Sequence, residues 1–128
     1  MEILTNKKVL IVGATGGIGS ERTKLIKKNQ AEVFITGRNA EALQKVAKEN
    51  DIPSDHVFQM DIANAAEVEK VAEKIHQQIG QLDVLVNAAG IGIIKPLEKL
   101  EVEDFDRSID VNLKGSFYLL KYFLPPMK

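Results

Sequence analysis

Four short apolar runs, rich in β-branched residues, punctuate the chain: VLIV at 9–12, VFI at 33–35, VFQM at 57–60 and LDVLV at 82–86. None shows the clean apolar–polar alternation of a strand with one wet face, so each should be covered on both faces. Doubly covered short strands imply a parallel sheet with helices above and below it, joined by crossover connections.

The segments between the runs supply those crossovers. In residues 64–80, Val68, Val71, Ala72, Ile75 and Ile79 form one stripe at helical spacing. Asn64, with Glu67 three residues on, suits the start of that helix, and Gly80 suits a left-handed end. A shorter helix follows Asn39, turns Leu43, Val46 and Ala47 inward, and must end before Pro53. A last helix is expected from about residue 103 to 124, ended by Pro125 and Pro126. Right-handed crossovers then give an α/β fold: a doubly wound parallel sheet of four strands with helices on both faces. A strand order of 3-2-1-4 follows if the chain reverses direction after the third strand, opening a crevice at the carboxyl ends of strands 1 and 4.

At 128 residues the chain makes a single domain, 1–128, without internal repeats or linkers. A formal net charge of -1 points to neither nucleic acid nor membrane lipid as a partner. The absence of cysteine excludes disulfides, thiolate metal sites and cysteine nucleophiles, and it fits a cytoplasmic location. His56 and His76 lack metal-ligand spacing, so no metal site is expected. MEILTNKK lacks the apolar stretch of a signal peptide, and the longest apolar region, 84–94, is interrupted by Asn87 and glycines.

GATGGIG, residues 13–19, follows the first strand and opens a helix. Glycines there permit a tight turn and let backbone amides approach a pyrophosphate, which the helix N-terminus also favours. The spacing of Gly13, Gly17 and Gly19 is G-x-x-x-G-x-G rather than G-x-G-x-x-G. A plain strand-to-helix turn is the alternative. Three further stretches fall in order: Asp61-Ile62, NAAG at 87–90 and DVNLKG at 110–115.

Together these stretches resemble the short-chain dehydrogenase/reductase family, classical type, and the match is to the N-terminal half of such an enzyme. The resemblance implies a Rossmann-like dinucleotide-binding domain and, in the parent family, hydride transfer between a nicotinamide and a carbonyl or alcohol. It implies that Gly13, Gly16, Gly17, Ile18 and Gly19 belong to the pyrophosphate turn, with Thr15 as a further phosphate contact. Asp61, beside Ile62, would hydrogen-bond the adenine, and Asn87, Ala88, Ala89 and Gly90 would line the ribose and nicotinamide side. Asn112 would be a member of the catalytic tetrad. An NAD site usually carries an acid about 20 residues beyond the glycines, but Gly37 and Arg38 stand there, and a guanidinium suits a 2′-phosphate. NADP is therefore favoured over NAD.

The sequence departs from the family at several points. Val12 replaces a usual threonine and Ala88 a usual asparagine, both tolerable. In the first helix, Glu21 and Arg22 fall near the stripe of Ile18, Leu25 and Ile26, taken as sheet-facing, and so should pair, snorkel outward or mark loose packing. Gln30 stands where a C-terminal glycine is expected. The family's catalytic serine and Tyr-x-x-x-Lys have no counterpart, so the chain is expected to be a truncated domain, inactive by itself.

The tail NLKGSFYLLKYFLPPMK does not replace them. Tyr118 lies three residues before Lys121, and Lys114 precedes Tyr118 by four, in reversed order. The region reads instead as two apolar stripes, one of Phe105, Ile109, Leu113, Phe117, Leu120 and Leu124, the other of Val111, Gly115, Tyr118, Leu119 and Tyr122. Two faces need two partners, the sheet and a neighbouring helix, which the resemblance places at a subunit interface. Without a fifth strand, strand 4 is an edge that invites pairing. A homo-oligomer formed through the last helix, strand 4 or both is expected. The alternative function is a non-catalytic dinucleotide-binding or assembly module completed by another chain.

Overall fold

A computed structural model describes residues 2–128; Met1, the first residue of the expected domain, lies outside them. Strands β1 (Lys8–Val12), β2 (Glu32–Gly37), β3 (Val57–Gln59) and β4 (Val84–Asn87) form one parallel sheet in the order β3-β2-β1-β4. Helices α1 (Gly17–Lys28), α2 (Ala40–Glu49) and α3 (Ala65–Ile79) are the crossovers, and α4 (Val102–Ile109) passes through a π-helical segment, Asp110–Lys114, into α5 (Gly115–Met127).

The run 9–12 shows why alternation is missing from the sequence. Leu10 and Val12 join Phe34, Phe58 and Met60 in the core beneath α3 and α5, while Val9 and Ile11 join Val33 and Ile35 beneath α1 and α2. Helix α3 starts where expected, with the Asn64 Oδ1 accepting from the Glu67 backbone amide at 3.1 Å. The Glu67 carboxylate does not return to close a capping box; it accepts from the Asp61 amide at 3.0 Å and so ties α3 to the end of β3. Gly80 ends the helix with φ 84°.

Two expectations need correction. In α1 the buried residues are Gly19, Thr23 and Ile26, whereas Ile18 and Leu25 are exposed. The inward stripe is thus rotated from the expected one, and Glu21 and Arg22 stand in solvent without any need for partners. The small Gly19 lets the start of α1 press on the glycine turn, where a Cβ would meet the Gly13 carbonyl. Gln30 does occupy a left-handed position, with φ 65°. Second, Pro125 and Pro126 do not end the last helix, which continues to Met127. Each lacks only the amide that would donate four residues back, to the Lys121 and Tyr122 carbonyls, so the loss is confined to the final turns. Partly buried Met127 packs on the core, and its carbonyl accepts from the Gln81 side chain at 3.2 Å.

His76 on α3 lies edge-on to the Phe123 ring, 5.7 Å between centroids, and its Nε2 is buried without a partner among the described residues. Desolvation lowers its pKa. The unfolded chain therefore takes up this proton more readily, so stability present above the ordinary histidine pKa falls as pH drops through it. Thermal melts from about pH 7.5 down to about pH 5.5 should show this loss, and His76→Leu should shrink it.

Candidate functional site

At the carboxyl ends of the strands, where the order turns from β1 to β2 on one side and to β4 on the other, the sheet opens into a cleft of about 630 Å³ including its mouth. The first βα turn forms its floor. Gly13 has φ 79°, and a Cβ there would lie 2.6 Å from both the Cα and the amide nitrogen of Ala89. A Cβ on Gly19 would lie 1.9 Å from the Gly13 carbonyl oxygen. These two glycines therefore permit backbone-on-backbone approach, whereas Gly17 faces open space at the start of α1. Gly13 and Ala14 donate to the Thr36 carbonyl at 2.9 and 3.1 Å, fastening the turn to β2.

Gly13, Thr15, Gly16, Arg38, Asp61, Ile62, Ala88, Ala89 and Gly90 line this one cleft. Gly17, Ile18, Gly19, Asn87 and Asn112 are not on its lining. Gly19 acts beneath the turn, and Asn87 and Asn112 act behind the wall. The Asn112 carboxamide clamps Ile91, its Oδ1 accepting from the backbone amide at 2.9 Å and its Nδ2 donating to the carbonyl at 2.8 Å. A Cβ on Gly90 would stand 3.3 Å from that Oδ1, so glycine leaves room for the clamp. Asn87 accepts from the Ala89 amide at 3.1 Å and donates to the Ser116 hydroxyl at 3.1 Å, which in turn donates to the Asn112 carbonyl at 3.0 Å. The wall at 88–91 is thereby tied to the π-helical segment.

Asp61 accepts from the Ala63 amide at 3.0 Å through its Oδ1. Gly37 is enclosed: a Cβ there would meet Leu43 and Thr15 side chains at 3.3 Å. The next residue, Arg38, is exposed at the rim, and its carbonyl accepts from Gln59 at 3.0 Å. Met60, Ile91, Val111 and Arg107 also line the cleft and were not foreseen from sequence. The signal that bears on the last two is their spacing ahead of Gly115, a helical face that becomes legible only once that glycine is known to meet Ile62.

Two ionisable groups of the tail are engaged with carboxylates. Lys114 is paired with Asp110 at 3.1 Å, and that hydrogen bond raises its pKa. A hydrogen bond to Glu69 raises the Tyr122 pKa, the opposite of what a general base near neutrality needs. Among the described residues no cluster of histidine and carboxylate side chains could hold a metal ion, and no helix is long and apolar enough to cross a membrane.

A family model for short chain dehydrogenase matches residues 7–128, and the chain belongs to that family. An uncharacterised oxidoreductase of Staphylococcus aureus strain MW2 is 35% identical over 127 residues, covering 99% of this chain and 55% of the relative. A short-chain dehydrogenase/reductase structure from Brucella melitensis, described as a glucose/ribitol dehydrogenase, is similar at 31% identity with a TM-score of 0.88, over 98% of this chain and 53% of that one. A variant of actinorhodin polyketide ketoreductase with NADPH is similar at 28% identity and TM-score 0.85, over 95% of this chain and 48% of that one. The chain thus spans about half the length of the curated relatives it matches.

Proposed function

We propose that this chain is the cofactor-binding half of an NADP-dependent oxidoreductase that interconverts carbonyls and alcohols, and that these 128 residues alone bind the dinucleotide without turning over substrate. The observation that carries the cofactor preference is the end of β2, where an enclosed glycine and an exposed arginine occupy the place of an acid. In this reading the turn at 13–19 takes the pyrophosphate, Asp61 and Ile62 take the adenine, and Arg38 takes the 2′-phosphate. Ala88, Ala89 and Gly90 would face the ribose and nicotinamide, with Asn87 holding that wall from behind. Bound NADP would supply the hydride chemistry; Asn112 would hold the wall beside it. The cysteine-free composition fits a cytoplasmic setting.

Arg38→Asp tests the reading: NADPH affinity should fall by roughly tenfold or more while NADH affinity holds or rises, followed by nicotinamide fluorescence. Equal loss of both would count against a 2′-phosphate contact.

A second reading, an assembly module completed by another copy, is favoured by two observations. Leu113, Phe117, Leu120 and Leu124 remain 64%, 58%, 54% and 40% exposed along one side of the last helix. Strand β4 also pairs only with β1 among the described residues, its middle half-buried. The assembly reading predicts a dimer or larger species by sedimentation at about 100 µM. A clean monomer there would remove the assembly reading.

A further inference from the structure

We propose that Arg107 is a second cationic contact for the adenosine phosphate half of the bound dinucleotide, reaching it from the side of the cleft opposite Arg38. The inference rests on the dinucleotide reading above. Three observations carry it.

The first is placement. Arg38 leads into α2, which packs on one face of the sheet, while Arg107 lies on the helix that continues into α5, which packs on the other. Both nonetheless line the same cleft. Gly115 sets the approach, because a Cβ there would lie 2.3 Å from the Ile62 side chain, so the helix start rests directly on the loop after β3. Val111 and Arg107, at successive four-residue steps upstream, carry that face along Asp61 and Ile62 toward the cleft mouth.

The second is availability. Among the described residues, neither the Arg38 nor the Arg107 guanidinium has an ion pair or a side-chain hydrogen bond. Nearby cations are committed: Lys95, in the loop before α4, to Asp104 at 2.8 Å and Lys114, in the π-helical segment, to Asp110 at 3.1 Å. The third is charge balance. The cleft lining holds these two arginines against one carboxylate, Asp61, and the α1 N-terminus adds to the positive side. A ligand carrying several phosphate charges complements that excess, and a planar guanidinium can both pair with phosphate oxygens and lie against adenine.

Because the adenosine diphosphate half is common to both cofactors, Arg107 raises affinity for each, while Arg38 discriminates between them. The test is titration of the full chain and of Arg107→Ala with NADPH and with NADH, each at about 50 mM and about 200 mM salt. Arg107→Ala should weaken both by roughly fivefold to tenfold, leave their ratio unchanged and flatten the salt dependence. Arg107→Lys should recover part of the loss. Since the side chain is exposed, the melting temperature of either variant should match the parent, which separates contact from folding. Unchanged affinities in Arg107→Ala would overturn this contact alone, and a loss confined to NADPH would overturn the shared-half assignment. If the parent chain binds neither nucleotide, the proposed function fails and this inference fails with it.

Discussion

Gly13→Ala is expected to cost about 4 kcal/mol of stability and to abolish dinucleotide binding. A residue with a Cβ at φ 79° carries roughly 1–2 kcal/mol of left-handed strain. The new methyl must also push against the Ala89 backbone from 2.6 Å, and backbone cannot rotate aside as a side chain can. Relief would separate the glycine turn from the wall at 88–91, which together define the cleft. Thermal unfolding should show a fall of roughly 10–20 °C. Gly19→Ala should behave alike, since its methyl would meet the Gly13 carbonyl at 1.9 Å. Gly17→Ala is the control: nothing lies within 4 Å, and its melting should match the parent.

Phe123→Ala should be similarly severe, at about 3–5 kcal/mol in a denaturant melt. The ring is 0% exposed and packs among Leu10, Ile75 and Leu119, with His76 at its edge. Leu120→Ala, one turn away on the exposed side, should leave the denaturation midpoint of a dilute sample nearly unchanged and weaken self-association instead. The pair tests whether the tail is a two-faced packing helix. Equal effects from the two substitutions would contradict that description.

Much of the sheet could be read from sequence because its strands obey one rule, burial on both faces, which leaves unbroken apolar runs. The Asn64 cap and Gly80 were legible for a similar reason: each answers a local backbone requirement. One failure was rotational. In α1 the buried positions are Gly19, Thr23 and Ile26, while Ile18 and Leu25 face out, and apolarity alone hides this because two of the three inward residues are small. Pro125 and Pro126 misled because proline's fixed φ suits a helix, and each removes only the donor to the carbonyl four residues upstream, at Lys121 and Tyr122 near the helix end.

The π-helical segment, Asp110–Lys114, carries no propensity signal; it coincides with the Asn112 clamp on Ile91, a tertiary interaction. At the cleft, the glycine turn, Asp61 and Arg38 were legible as positions along the chain. Arg107 was not, since its place depends on how α4 lies across the loop after β3.

These residues are proposed to form a dinucleotide site by themselves. Calorimetric titration of the chain with NADPH at low salt tests this directly. Saturable one-site binding is expected, with a dissociation constant on the order of 0.1–1 mM, tighter than for NADH. No detectable heat at several millimolar NADPH, from a sample that melts cooperatively, would contradict it.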